Sequence, residues 1–431
     1  MAYMTQPRDQ GESNRLFRED LPIHEWYRFV LSYPPHLVRT YLDRFGVTSS
    51  GRVLDPFCGT GTTLVECKKL GIPSIGLEVN PVVHFAASTK LSWNVDPEAL
   101  EQHARRIAQR VDRRLAGMNS SVTDDVSVEH LLHLAPDQEA LLISGSISPV
   151  PLHKVLVLLD EIDQERQSPF WAHERLALIK QAVHTISNLR FGPEVGVSTK
   201  RKLDSPVVGL WLGGVQAMCE DLRNLELRTP VDAHVILADA RAVPVTLPSH
   251  SISAVITSPP YPNEKDYSRT TRLESVLMGY MNQRSDLKRD KSQMLVSNTR
   301  NVYKGDTDEQ YILNNARIQE LADTIEGRRI ELRKTSGFER LYAKVVRLYF
   351  GGMVRHLREL KPKLRPGAQL AYVVGDQASY FRIHIHTGEI LADLAREEGF
   401  EVIGLDLFRT RFSTATQTDL REEVLLLRWD P

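Results

Sequence analysis

Between Arg52 and Glu78 the chain spells one arrangement and excludes most others. Arg52-Val53-Leu54 is a short apolar run. Asp55-Pro56-Phe57-Cys58-Gly59-Thr60-Gly61 is a turn with two glycines. Thr62 to Leu70 reads as a helix stopped by Gly71, and Ser74-Ile75-Gly76-Leu77-Glu78 is a second apolar run closed by an acid. Strand, turn, helix and strand in that order form a crossover unit, so the two strands lie parallel in a sheet with helices on its faces. The fold class expected is α/β, a doubly wound Rossmann-like sheet. Ligands of such sheets bind beyond the carboxyl ends of the strands. Gly59 and Gly61 have no Cβ, so backbone can press against a ligand there.

The identity of that ligand narrows by exclusion. A phosphate loop would carry lysine in its G-x-x-x-x-G-K-[ST] pattern, and Glu66 sits in this helix instead; a dinucleotide site needs a third glycine where Leu64 stands. The N–H groups opening the helix near Thr62 suit a carboxylate or water. Glu78, ending the second strand, can accept both hydroxyls of a ribose. Asp239 ends a later strand, where a carboxylate can receive an adenine amino group. A second signal lies far downstream: Thr257-Ser258-Pro259-Pro260-Tyr261 follows the apolar run Ser253-Ala254-Val255-Ile256. A short polar residue, two prolines and an aromatic make a rigid turn that can grip a planar amino group.

The line Asp55-Pro-Phe-Cys-Gly-Thr-Gly-Thr-Thr63 resembles the S-adenosylmethionine motif of the amino-methylating DNA methyltransferases, and Thr257-Ser-Pro-Pro-Tyr261 resembles their catalytic motif. The resemblance spans roughly residues 20–92 and 233–430. It implies a class I methyltransferase fold, with about seven strands and a large helical insertion. It implies S-adenosylmethionine as cofactor, with Asp55, Phe57, Gly59, Gly61 and Thr62 at the methionine end, Glu78 on the ribose, and Asp239 and Ala240 near adenine. Tyr33-Pro34-Pro35 looks like the N-terminal segment that closes over the methionine tail. The activity implied is methyl transfer to the exocyclic amino group of a base in double-stranded DNA. Family members with serine first in the turn mostly modify cytosine N4, those with Asn or Asp mostly adenine N6; Ser258 therefore favours cytosine N4 in a specific sequence. A cognate restriction endonuclease or defence-system proteins are the partners such an activity could serve.

The chemistry explains the residue types. The lone pair of an exocyclic amino nitrogen is delocalised into the ring. A side-chain acceptor and a backbone carbonyl, each taking one amino hydrogen, draw it back onto nitrogen. Ser258 supplies the first and the Pro259 carbonyl the second, since proline keeps its acceptor while its ring fixes the backbone. Tyr261 gives the base a face to stack on. The target lies inside a duplex, so the base must be extruded.

Residues 1–93 are read as an N-terminal segment and the first half of the core, 94–230 as a helical insertion, 231–261 as core with the catalytic turn, 262–345 as a candidate target-recognition segment and 346–431 as the rest of the core. The last two strand candidates, Phe400–Leu407 and Glu423–Trp429, are expected to form an antiparallel hairpin. Net charge is −1, from 54 basic and 55 acidic residues, which argues against an all-round nucleic-acid coat but not against a local basic groove. Lys200-Arg201-Lys202 is expected to clamp phosphates, and Tyr267 and Arg269 to touch the flipped nucleotide; Glu264 is either pocket or solvated loop. No apolar run reaches the roughly 18 residues of a membrane span, and the N-terminus lacks a signal core, so a cytoplasmic protein is expected. The three cysteines have no CxxC spacing, so no metal site is expected from them. His384 and His386 alternate with isoleucine and read as two exposed positions rather than a metal pair. Asp376 lies near the target base or caps a loop. Competing functions are an RNA amino-methyltransferase, a protein glutamine methyltransferase, and a DNA-binding module without activity.

Overall fold

The computed structural model describes residues 16–28, 32–120, 130–192, 194–225, 230–263, 265–413 and 416–431. Strands β1 (Val53–Asp55), β2 (Ser74–Glu78), β3 (Leu189–Phe191), β4 (Val195–Val197), β5 (Ala233–Leu237), β6 (Ile252–Thr257), β7 (Leu364–Gly375), β8 (Glu401–Ser413) and β9 (Thr418–Trp429) account for the sheets. Seven of them form one sheet in the order β5-β2-β1-β6-β7-β9-β8. The first five in that order run parallel, and β9 is antiparallel to both β7 and β8. The expected terminal hairpin is β8–β9, with β9 inserted between its partner and β7.

Alternation along the strands divides the core between two faces. Leu54, Val255, Leu370, Tyr372, Val374, Leu425 and Leu427 pack under helix Tyr342–Leu360 and helix Thr387–Glu397. Their neighbours Val53, Ala254, Ile256, Ala371, Val373, Val424 and Leu426 pack against helix Pro35–Arg44. Each side chain projects to the face opposite its neighbour's, so a sheet buried on both sides reads as a continuous apolar run.

Among the described residues of 94–230, the helices Pro97–Ser120, Pro149–Gln164, Trp171–Gln181 and Val207–Asn224 dominate. Their apolar faces, including Leu100, Ile107, Leu158, Leu178 and Trp211, share a core with Leu64, Val65, Val82 and Val83 of the two helices that follow β1 and β2. Shortly before Lys200 lies the β3–β4 hairpin, paired from Leu189↔Val197 to Phe191↔Val195. Strands of three residues are too short for periodicity to register. Strand β7 is irregular near its start. Its register against β6 shifts between Ile252↔Leu364 and Ala254↔Gln369, β7 carrying the extra residues, with Gly367 at φ +80°. No helix among the described residues is long and apolar enough to cross a membrane.

Helix Tyr342–Leu360 carries Gly351 and Gly352 where it crosses the single turn Asp308–Ile312. A Cβ on Gly351 would stand 2.0 Å from the Asp308 carbonyl oxygen. Backbone on both sides cannot yield. Gly351→Ala should lower the unfolding free energy by about 3 kcal/mol, seen as a reduced urea midpoint at unchanged slope.

Candidate active site

β1 lies between β2 and β6, and its two sheet neighbours lead the chain in opposite directions. A crevice opens at such a switch point, at the carboxyl ends of the strands. Asp55 ends β1 and Thr257 ends β6; the Thr257 hydroxyl donates to Asp55 Oδ1 at 2.6 Å. The Phe57 N–H reaches the same oxygen at 3.2 Å, and the Tyr33 hydroxyl donates to Oδ2 at 2.9 Å. Tyr33 also meets the Thr63 hydroxyl, which donates to the Ile256 carbonyl at 3.1 Å. Burial pushes the Asp55 carboxyl up to about 6, and the hydroxyl bonds from Thr257, Thr63 and Tyr33 act against that rise. Asp55 was expected to touch the ligand. It stands one layer behind, 0% exposed and outside the cavity wall, with both oxygens taken by protein donors.

In front of this cluster is a cavity of about 560 Å³. Tyr33, Phe57, Gly59, Thr62, Glu78, Asp239 and Ala240 line one part of it; Pro34 and Gly61 do not. Gly59 and Gly61 take φ of +50° and +81°, the left-handed region that glycine enters without strain. Gly61 is the N-cap of helix Thr62–Lys69 and offers no side-chain cap. Glu78 Oε1 accepts the Asn80 N–H at 2.7 Å. Burial pushes this carboxyl up to about 7, opposed by backbone N–H bonds from Asn80, Gly59 and Val79. Asp239 is held by Arg241, whose Nε and Nη2 meet its two oxygens at 3.1 and 2.8 Å. The Ala240 carbonyl accepts from His356 Nδ1 at 2.8 Å, while Phe57 packs edge-on to the His356 ring. Burial lowers His356 to about 4, so the ring is neutral at physiological pH. An uncapped helix terminus beside a partly buried carboxylate fits S-adenosylmethionine, whose carboxylate needs donors and whose ribose hydroxyls need an acceptor.

Ser258, Pro259, Pro260, Tyr261 and Tyr267 line the remainder of the same cavity. The Ser258 hydroxyl donates to the Val373 carbonyl of β7 at 3.0 Å. With its proton so committed, the oxygen is left as an acceptor. Tyr261 lies over Gly375, where an added Cβ would meet ring atom Cε2 at 2.9 Å. Tyr267 bonds the backbone of Tyr261, and burial pushes its phenol up to about 12. Arg269 is not part of the wall, nor are Lys200, Arg201 and Lys202. Lys202 Nζ donates to the Thr185 and Ser187 carbonyls, and the Arg201 guanidinium packs over Gly145. Glu264 lies outside the described residues.

The sequence reading missed several wall residues: Asn80, Glu194, Asn263, Lys265, Arg409, Arg411 and Glu422. Asn80 had a signal, since Asn before Pro81 is a helix N-cap, and its Oδ1 accepts from Val82 N–H at 3.2 Å. Arg409 and Arg411 had one too, alternating on β8 beyond its apolar part. Glu194 did not, because it reaches the cavity from beside the short strand β4.

Comparison with known proteins bears on this geometry. The family described as DNA methylase, covering N6- and N4-methyltransferases, matches residues 14–87. The Type II methyltransferase M.BsoBI of Geobacillus stearothermophilus is 24% identical over 422 residues, 92% of this chain and 82% of that protein. The Type II methyltransferase M.AvaI of Nostoc sp. is 24% identical over 410 residues, 88% of this chain and 80% of its own length. Among solved structures, TrmN from Thermus thermophilus aligns with 95% of this chain and 52% of its own at 11% identity and a TM-score of 0.33, too weak a likeness to bear on fold or substrate. The match at the first motif and the two near-full-length relatives agree with the sheet order and the shared cavity: the chain is similar to the amino-methylating DNA methylases, has the class I methyltransferase fold, and uses S-adenosylmethionine as methyl donor.

Proposed function

We propose that this protein methylates cytosine N4 in a specific sequence of double-stranded DNA, acting on a base turned out of the helix. The observation that carries the reading is the single cavity shared by Glu78 and Gly59 with Ser258, Pro259 and Tyr261. Relatives named as Type II methyltransferases support DNA as the substrate and service beside a restriction endonuclease.

When bound, S-adenosylmethionine supplies an electrophilic methyl group. The work of this chain is alignment. Glu78 holds the ribose, the helix end at Thr62 receives the carboxylate, and Asp239 with Ala240 flanks the adenine. Ser258, its own proton committed to Val373, accepts one amino hydrogen of the target base. The Pro259 carbonyl accepts the other, and the nitrogen lone pair is thereby freed from the ring. Tyr261 and Tyr267 are neutral phenols raised by burial, suited to stack on a base rather than to act as bases. Adenine N6 needs the same geometry and is the second reading, because a single serine oxygen serves either amino group.

The two halves of the reaction separate experimentally. Tritiated S-adenosylmethionine incubated with DNA, tRNA and protein should label DNA alone, and nucleoside mass spectrometry should find N4-methylcytosine. N6-methyladenine would replace the cytosine assignment, and label in tRNA or protein would reject DNA. Ser258→Ala should lower turnover by about 10²-fold with cofactor affinity retained. Duplex carrying 2-aminopurine at the target should brighten on binding; unchanged fluorescence would argue against base extrusion.

Glu78 gives a pH signature. Its free carboxyl titrates near about 7, and ribose hydroxyls favour the ionised form, so binding displaces a proton. Cofactor affinity should therefore weaken as pH falls, by about tenfold per unit once below that value. Glu78→Gln should bind more weakly at alkaline pH and show a flat profile by calorimetry.

The cavity mouth suggests where phosphate lies. Burial lowers Lys265, and the nearby Arg411 lowers it further; Arg409 is neutralised by Glu422 at 2.5 Å. Two adjacent cations, Lys265 and Arg411, invite an anion. The double change Lys265→Ala, Arg411→Ala should weaken binding to all duplexes and reduce the salt slope by about 2. Neutralising Lys200 and Arg201 should have the smaller effect.

A further inference from the structure

Behind the wall formed by Gln377, Ala378 and Ser379, three side chains converge that the methyl-transfer reading does not use. Asp376 follows β7 with its side chain 2% exposed. Its Oδ1 accepts the Thr387 N–H at 3.1 Å, so one oxygen caps a helix. The other oxygen, Oδ2, faces two imidazole nitrogens: His384 Nε2 at 3.2 Å and His386 Nδ1 at 3.5 Å. The rings stack with centroids 4.1 Å apart and planes at 27°. The two histidines are drawn together by a turn in which Phe381 and Arg382 both have positive φ, 54° and 64°.

Simple hydrogen bonding explains this poorly. If both rings donated to one oxygen as cations, two like charges would be stacked face to face. As neutral rings, two donors would crowd one acceptor at long range. A tetrahedral ion bound by nitrogen and oxygen at about 2.0–2.1 Å keeps its ligand atoms about 3.3 Å apart. The observed 3.2 and 3.5 Å match that edge, and all three candidate ligand atoms lie within 4.8 Å of one another. The surroundings favour a cation. Glu423, 2% exposed, stands within electrostatic reach of Asp376 and His386. The neighbouring bases are already engaged: Arg421 with Glu423 at 2.6 Å, and Arg317 with Glu389 at 3.0 Å. His384 and His386 remain 29% and 46% exposed, so an ion could enter and keep water at its open position.

We propose that Asp376, His384 and His386 form a binding site for a divalent transition metal, with zinc the best fit. Neutral imidazole and carboxylate at this spacing suit that class of ion rather than calcium or magnesium. The site is structural, and no step of methyl transfer passes through it. The Gln377 N–H bonds the Ile385 carbonyl at 3.1 Å and the Ile385 N–H bonds the Gln377 carbonyl at 2.7 Å, so the loop is already pinched at its neck. A metal would lock the same neck, and with it Gln377 and Ser379 in the cavity wall.

The test uses the full chain, stripped with a chelator and titrated with zinc chloride alone in a calorimeter. Wild type should take up one equivalent that His384→Ala and His386→Ala each weaken by at least about tenfold and that the double variant loses. Both side chains are partly exposed, so these variants should fold, and unchanged circular dichroism checks this. Cobalt should give the intense visible bands of a four-coordinate ion in wild type alone. Zinc should raise the melting temperature of wild type and not of the double variant. No uptake by wild type, or equal uptake by the double variant, overturns the proposal.

Discussion

The bond between Thr257 and Asp55 is the contact on which the rest of the site depends. It joins the ends of two neighbouring parallel strands, 202 residues apart in the chain. On one side it fixes the residue that opens the Ser-Pro-Pro-Tyr turn. On the other it fixes the carboxylate that opens the glycine turn and holds Tyr33. A buried carboxyl that accepts from two hydroxyls and a backbone N–H is costly to disturb, because each orphaned partner loses about 1–3 kcal/mol. The cavity in front inherits this rigidity. Its two halves are registered by a group that stands outside the cavity wall.

Much of this was legible in the chain. The β-turn-α-β unit at Arg52–Glu78 has one reasonable reading, since periodicity, glycine placement and a terminal acid agree. The turn at Ser258 was legible because proline and serine have few other reasons to follow a buried strand. What escaped was tertiary. Nothing local distinguishes an aspartate that touches a ligand from one that braces a tyrosine behind it, and Asp55 is of the second kind. Lys202 reads as a free cation, yet its ammonium is used on two carbonyls. Glu194 reads as a loop residue, yet a short hairpin carries it to the cavity. The convergence of Asp376 with His384 and His386 depends on two left-handed residues that no propensity announces.

Glycine has opposite uses at two places in this molecule. Gly59 and Gly61 are chosen for backbone angle, and nothing crowds Gly59. Gly375 and Gly351 are chosen for room: one accommodates the Tyr261 ring and the other a backbone carbonyl. The first kind follows a recognisable motif. The second is visible only once neighbours distant in sequence are in place, which is why the apolar periodicity of helix Tyr342–Leu360 gave no hint of it.

The wide separation of β1 and β6 also shapes how the molecule comes into being. On a ribosome adding about 5–20 residues per second, the segment that follows β1 waits on the order of 10–40 s before its sheet neighbour is synthesised. During that interval the intervening helices, rich in near-neighbour contacts, can gather around Leu100, Ile107 and Trp211, while one edge of the nascent sheet stays unpaired. The insertion's core is continuous with helices Thr62–Lys69 and Pro81–Lys90, so that face of the first half can be covered before the second half is made.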